Sequence, residues 1–357
     1  VPVPVRARPV RTATSKAFRI ALYSSKRDRC GISTYTSQLE EAFALLGYDV
    51  RYWGSQPPHE KVLDEILAWK PAVFHVQHES SIMPPVEVLG KYTELLSRAG
   101  TRVMVTLHTE GPDTIHLART LTGGVPGRVI LHRPTEAAPD AIVVPMPCTS
   151  VGVLPDRDEL RRKFGFREDA FILSTLGFMI PWKDHPKIAE ALSGWLVRRP
   201  DACLQIIANE HFNNDLKGYA KTCREQLLNV AEKFSPGRIA HVDGYPSDRE
   251  LIERLAVSDL GYVWCPFDTG SSSAAAAQFT SARCPLVATD SSHYAFLGDG
   301  IVRGPKDNLD AFVRLIEKTA DDEDLLAELR EAQWGGYVSR NYIQTARLHL
   351  TLYGLTV

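Results

Sequence analysis

From Phe18 the chain repeats one unit: a short apolar run, a polar loop, then a segment with apolar residues at helical spacing. The run Phe18-Arg-Ile-Ala-Leu-Tyr reads as a buried strand, because a stretch this short and apolar suits a strand covered on both faces. Beyond it Ile32, Tyr35, Leu39, Phe43 and Leu46 share a helical face, with Ser33 as the expected N-cap and Gly47 as the stop. Strands are expected again at 48–53, 72–77 and 102–107, separated by helices at 59–69 and 86–99. Strands alternating with helices of this length pair in parallel through right-handed crossovers. The first half is therefore expected to be a doubly wound α/β sheet.

A second series starts at Phe171, with strands expected near 171–176, 203–208, 238–242, 260–264 and 285–289. Between the two series Pro147, Gly152, Pro155 and a mixed-charge stretch change the character of the chain. At about 100–200 residues per domain, 357 residues suit two domains. The expected division is a flexible basic arm at 1–17, a first domain at 18–150, a linker at 151–168, a second domain at 169–335 and a terminal helix at 336–357. That helix carries Ile343, Ala346, Leu350 and Tyr353 on one face and is expected to cap one of the halves, the first being one choice.

With 41 Lys+Arg against 43 Asp+Glu, the net charge of −2 gives no global attraction to nucleic acid or to an anionic membrane. The average hides a basic start, where Arg6, Arg8, Arg11, Lys16, Arg19, Lys26, Arg27 and Arg29 face only Asp28. The six cysteines form no Cys-x-x-Cys pair, which points away from zinc ribbons and disulfide frameworks and toward a reducing, cytoplasmic setting. No run of about 18 apolar residues is long enough to span a membrane, and the start lacks the apolar core of a signal peptide.

Ligands of open parallel sheets bind outside the carboxyl ends of the strands, so four loops matter most. In Asp28-Arg-Cys-Gly-Ile-Ser-Thr, Gly31 lets backbone approach a ligand at a helix start, although a plain tight turn explains it equally well. In His75-Val-Gln-His-Glu79, alternation puts His75 and His78 on opposite faces, which disfavours a shared metal and favours hydrogen bonds to a polar ligand. In Thr106-Leu-His-Thr-Glu-Gly-Pro, His108 ends a strand and is expected to face the cleft, with a surface histidine as the alternative. In Val263-Trp-Cys-Pro-Phe-Asp-Thr-Gly-Ser-Ser-Ser273, hydroxyls and amides at a helix start suit a phosphate, and Lys183 in Gly177-Phe-Met-Ile-Pro-Trp-Lys183 would pair with it.

Taken together and in this order, these segments resemble the nucleotide-sugar-dependent glycosyltransferases of GT-B architecture, closest to the retaining family 4. Cys30-Gly-Ile-Ser-Thr-Tyr-Thr, Val76-Gln-His-Glu and Val105-Thr-Leu-His-Thr resemble successive loops of one bacterial branch of that family. The resemblance implies two Rossmann-like domains facing a central cleft, the first for the acceptor and the second for the donor. It implies donor phosphate contacts at Gly31, Lys183, Ser271, Ser272 and Ser273, and nucleotide contacts at Asn209, Tyr245 and Gln278. It implies sugar or acceptor contacts at Gln77, His78, Glu79 and Thr109, with His108 and Lys183 as the catalytic pair. Two departures stand out: the family's Glu pair falls on Gly270 and Gln278, and its arginine before the lysine falls on Phe178.

The expected reaction is sugar transfer from a nucleoside diphosphate, UDP-linked or else GDP-linked, with retention and without a metal, since no Asp-x-Asp motif ends a strand. Loss of the diphosphate needs positive potential at the leaving group, which Lys183 and the 271–273 amides would supply. Two other readings stay open: a binding protein without turnover, suggested by Gly270 and Gln278, and transfer to nucleic acid held by the basic arm.

Overall fold

The computed structural model describes residues 18–26, 30–80, 83–211, 216–234, 236–268 and 271–355. The basic segment 1–17, Arg27, Asp28, Arg29 and Gly270, all singled out above, lie outside them. The first half runs β1 (Arg19–Ser24), α1 (Gly31–Leu45), β2 (Asp49–Gly54), α2 (His59–Trp69), β3 (Val73–His78), α3 (Val86–Arg98), β4 (Arg102–Leu107), α4 (Pro112–Leu121), β5 (Val129–Leu131) and β6 (Ile142–Val143). Its strands form one parallel sheet in the order β2-β1-β3-β4-β5-β6. Alternation explains the two covered faces: Ile20 and Leu22 pack with Leu39 and Phe43 of α1, while Ala21 and Tyr23 pack with Ile66 of α2 and Leu89 of α3.

After α5 (Arg157–Phe164), the second half runs β7 (Phe171–Met179), α6 (His185–Arg198), β8 (Ala202–Glu210), α7 (Lys217–Phe234), β9 (Ile239–Val242), α8 (Asp248–Ala256), β10 (Leu260–Val263), α9 (Ala274–Ser281), β11 (Leu286–Thr289), β12 (Val302–Gly304) and α10 (Leu309–Ala320). Its parallel sheet has the order β12-β11-β10-β7-β8-β9. Helix α9 lies unusually close to this sheet: a Cβ built on Gly261 of β10 would fall 2.2 Å from Cε1 of Phe279. That contact seats the helix whose start carries the serines.

Several local expectations change. Helix α1 begins at Gly31 behind Cys30, which makes no side-chain cap, so Ser33 lies within the first turn. The 151–168 stretch contains α5, whose Leu160 packs with Ile172 and Val257. Asp259 ties α5 to the second half, 2.6 Å from Nη2 of Arg157 and 3.1 Å from Nη2 of Arg161. The C-terminal amphipathic segment is two helices, α11 (Glu323–Arg340) and α12 (Tyr342–Leu352), parted at Asn341, whose Oδ1 accepts the Gln344 N–H at 3.1 Å.

Helix α12 returns to the first half, where Tyr342, Ala346, Leu350 and Tyr353 pack with Ile20, Leu22, Leu39 and Phe43. Each large side chain fully buried there contributes about 1.5–3 kcal/mol, which fixes the return against the cost of ordering the helix. The two passages between the halves run side by side: the Cys148 N–H donates to the Arg340 carbonyl at 2.8 Å.

Candidate functional site

Strands β3 and β4 are central, with helices on both faces, and the polar residues at their carboxyl ends are drawn inward. His75 and Gln77 are wholly buried, His78 is 2% exposed and His108 only 8%. Tyr353 Oη lies 2.6 Å from Nδ1 of His75, and Thr106 Oγ1 lies 2.8 Å from its Nε2. The Gln77 amide sits 3.3 Å from His75 Nε2 and 3.1 Å from His108 Nε2. His108 Nδ1 in turn lies 3.3 Å from Nε2 of His132, whose Nδ1 is 3.0 Å from the Val144 carbonyl.

The proton positions follow from the end that has no choice. The Val144 carbonyl only accepts, so His132 carries its proton on Nδ1 and offers Nε2 as an acceptor. Burial pushes His132 down to about 4 and His108 well below the ordinary imidazole range, so both are neutral. His108 then donates from Nδ1 and accepts at Nε2, so the Gln77 amide is assigned with its NH2 end toward His108, reversed from the placement that sets Oε1 3.1 Å from that nitrogen. The Gln77 oxygen is left for His75 Nε2–H, and the Tyr353 hydroxyl donates to His75 Nδ1.

The residues expected at the cleft from the first half lie at different depths. Gln77 and His78 are interior groups, because β3 is flanked by β1 and β4 and covered on both faces. Both ring nitrogens of His108 are engaged within the first half. The ring is also gripped edge-on by Tyr35 at a 4.9 Å centroid separation, so the Tyr of the first-loop motif packs on the histidine of the third. Glu79 is half-buried, and Thr109 is exposed and bridges in antiparallel fashion to Ser271 of the second half. Gly31 is exposed at the start of α1, with nothing within 4 Å of where a Cβ would lie.

In the second half Lys183 ends a short 3-10 turn, Pro181–Lys183, just after β7. Its side chain folds over Gly177, whose φ of +154° suits glycine and whose missing Cβ leaves room: a Cβ there would lie 2.8 Å from Nζ. Burial lowers the Lys183 pKa, as expected for an ammonium poised against a low-dielectric wall. At the start of α9 the three serines have different roles. Ser273 is the N-cap, its Oγ accepting the Ala276 N–H at 3.1 Å, so its hydroxyl serves the helix itself. Ser271 is tied to His293, whose Nδ1 lies 2.8 Å from its carbonyl. Ser272 Oγ, with Gln278 Oε1 further along the helix, is buried without a hydrogen-bond partner.

An aromatic group flanks this region. Phe178 lies 4.7 Å from His211 and 6.2 Å from Tyr245 between ring centroids, and Tyr245 is 40% exposed. Asn209, at the end of β8, is the register partner of Phe178 and is 9% exposed. Among the described residues no group of three or more His, Cys, Asp or Glu has the geometry to hold a metal.

Three residues next to the Thr109–Ser271 bridge were not anticipated. Glu110 and Arg133 form an ion pair of 3.2 Å at the ends of β4 and β5, and His293 sits across from them on the second half. Glu110 stands inside the quoted His108 motif, but Arg133 follows a three-residue strand that gives no alternation to read.

No protein-family model and no curated protein matches the chain. Solved structures do. A glycosyltransferase from Rickettsia africae superposes with a TM-score of 0.71 at 12% identity, covering 94% of this chain and 97% of that one. Sucrose-phosphate synthase from Thermosynechococcus elongatus gives 0.69 at 14%, covering 94% and 98%. HepE of Anabaena, solved in complex with UDP-glucose, gives 0.67 at 13%, covering 94% and 100%. The likeness extends over both halves and shows the fold to be GT-B: two six-stranded parallel sheets with interleaved helices.

Proposed function

We propose that the chain is a glycosyltransferase that moves a hexosyl unit from a nucleoside diphosphate sugar, a UDP-sugar foremost and a GDP-sugar as the other choice, to an acceptor. The observation that carries this reading is the start of α9: buried Ser272 Oγ and Gln278 Oε1 lack partners, and a half-buried lysine is folded into a glycine-made slot at the end of β7. Unsatisfied buried polar atoms cost about 1–3 kcal/mol each unless a ligand meets them. A diphosphate with its ribose offers the acceptors and hydroxyls that such a site needs. The fold shared with HepE, which is solved with UDP-glucose, adds support.

In the proposed reaction the bond between the anomeric carbon and the diphosphate breaks, the acceptor hydroxyl gives its proton to the departing diphosphate oxygen, and the acceptor oxygen bonds to the same face, giving retention. Lys183 and the α9 amides stabilise the departing diphosphate without a metal. Phe178, His211 and Tyr245 flank the base, and Asn209 lies beside them. His108, its ring fixed by Gln77 and His132, borders the sugar side of the cleft in this reading. Thr109, Glu79 and Gly31 border the cleft from the first half, the acceptor side, in this reading of the 18–150 and 169–335 segments as two domains. Membership of family 4 and a cytoplasmic location belong to the same proposal.

A thermal-shift screen of UDP-, GDP-, ADP- and TDP-sugars tests it, because a ligand confined to the folded state raises the midpoint. The expected result is a rise with one class, lost in Lys183→Ala. The loss of one charge-assisted phosphate contact amounts to about 1.5–3 kcal/mol, or roughly 10- to 150-fold in Kd. No shift with any nucleotide sugar overturns the reading.

A further inference from the structure

A diphosphate ester carries two negative charges, and at the start of α9 the cation from the second half is Lys183; Lys306 is occupied by Asp268. His293, beside Ser271, is pushed down to about 4 by burial and then by Lys183 and Arg133, so it is neutral at physiological pH. Its neighbours nevertheless mark where a second cation lies: Lys183 from one half and Arg133 from the other both act on this one ring. Arg133 is held there by Glu110, and Glu110 directly follows the residue that bridges to Ser271.

The pair is poorly matched for a permanent structural role. The Glu110 side chain is 4% exposed and that of Arg133 17%, and their 3.2 Å contact is an ion pair without an aligned hydrogen bond. A buried carboxylate oxygen that faces its cation without an aligned hydrogen bond is costly, and it would repel an incoming phosphate. We propose that Glu110 and Arg133 form an exchangeable anion seat: Arg133 leaves Glu110 for a phosphate group that Lys183 holds from the opposite half, and Glu110 takes up a proton as it loses its partner.

The proton step follows from the surroundings. Burial raises Glu110 to about 7, against the opposing pull of Arg133 and of a hydrogen bond from the His132 backbone. Turning Arg133 toward a phosphate removes the first of these pulls and brings a negative charge nearer, so the carboxyl rises further. The other titratable groups around the pair are His108 on the same loop, His132 at the end of β5, and Lys183 and His293 across the cleft. The three histidines are held neutral by burial and do not compete for the proton near pH 7. Binding therefore consumes a proton, and affinity falls as pH rises through the window above about 7 where free Glu110 is ionised.

The phosphate can belong to the donor or to a phosphorylated acceptor, and the nucleotide-sugar reading enters only in the choice of the first probe. The test is calorimetry at pH 7.5 in two phosphate-free buffers of different protonation enthalpy, with UDP-glucose and glucose 6-phosphate as separate probes. UDP-glucose has no phosphate proton titrating in this range, and for the monoester, which titrates near pH ~6, Glu110→Gln supplies the correction. The expected result is uptake of more than about half a proton per ligand by the wild type beyond that of Glu110→Gln. Arg133→Gln should bind at least roughly 10-fold more weakly and show no uptake, because its Glu110 is already protonated. Linkage with UDP-glucose alone assigns the seat to the donor, and linkage with glucose 6-phosphate alone assigns it to an acceptor. UDP-glucose binding that depends on Lys183 but shows no difference in uptake between wild type and Glu110→Gln overturns this inference and leaves the donor site standing. Glucose 6-phosphate linkage without any nucleotide-sugar binding overturns the donor reading and keeps the seat. Binding of neither probe overturns both. Wild-type circular dichroism and a single cooperative unfolding transition in both Gln variants exclude misfolding as the cause.

Discussion

Gly261→Ala tests how the start of α9 is held in place. The added methyl would meet Cε1 of Phe279 at 2.2 Å, about 1.3 Å short of the ~3.5 Å at which carbon atoms make favourable contact. Gly261 is in the middle of β10, hydrogen-bonded in register between β7 and β11, so the strand does not yield. Phe279 is wholly buried among Leu286, Ala288 and Ile252, so the ring has no empty space to turn into. The helix must therefore move outward by about 1 Å, and overpacking of this kind costs about 1–3 kcal/mol. In a domain of this size that lowers the unfolding midpoint by roughly 2–10 °C in a calorimetric scan. If the proposed transfer takes place there, a displacement near 1 Å at the serines costs on the order of 100-fold in its rate. Phe279→Leu in the same chain removes the clashing ring atoms and should restore part of the loss, giving a coupling of about 0.5–3 kcal/mol in a double-mutant cycle. A single variant that melts with the wild type, or two substitutions whose effects simply add, would refute the claim that this contact sets the position of α9.

Tyr353→Phe should lower the midpoint by several degrees, since it strands the buried His75 Nδ1 at a cost of about 1–3 kcal/mol; an unchanged midpoint sinks this hydrogen bond. Nitrogen-15 NMR of the imidazoles should find His108 and His132 both protonated on Nδ1, and an Nε2 proton on either ring breaks the chain anchored at Val144. Acid should destabilise the protein steeply between pH 6.5 and about 4, because His132, His293 and His349 are held at about 4 when folded but titrate near 6.5 when unfolded. Each contributes up to about 3 kcal/mol, present above pH 6.5 and lost as pH falls, and His349→Phe should make the acid limb shallower in urea titrations at successive pH values. Glu110 works in the opposite direction, its raised pKa removing stability as pH climbs from about 4.5 to about 7.

Much of the fold was legible because most strands are four residues or longer and the central ones are covered on both faces, which leaves continuous apolar runs such as Phe171-Ile-Leu in the sequence. Strands β5, β6 and β12, of three, two and three residues, are too short to show a period, and nothing local announces them. The burial of Gln77 and His78 was hidden for a related reason. Strand β3 extends through His78, one residue beyond the expected 72–77, and its central position buries what an edge strand would expose. That a lysine follows β7 and that serines open α9 was legible because each lies just beyond an apolar run in the sequence. The partners of His75 and Glu110 were not, since Tyr353 lies 278 residues from His75 and the Glu110–Arg133 pair depends on β5 docking beside β4.

The buried histidines also decide where proton chemistry can reside in the cleft. An acid or base works best when its pKa lies near the operating pH. His108, whose burial depresses its basicity well below the usual range, is a strong candidate for fixed hydrogen-bond geometry and a poor one for accepting a proton. Its tautomer is set by a chain that ends on a backbone carbonyl, which holds the ring in one orientation whether or not a ligand is present. Glu110, two residues further along the same loop, is the reverse: its carboxyl lies at about 7, and its partner Arg133 is the group an anion would draw away. The short segment from His108 to Glu110 thus separates two tasks, a rigid acceptor of hydrogen bonds and an adjustable acceptor of protons, with Thr109 between them fastening the loop to the start of α9. On this basis a pH profile of any transfer activity should have its limb near 7 removed by Glu110→Gln. His108→Gln should leave that limb in place while lowering the rate throughout, and a limb that followed His108 instead would assign the proton to the histidine.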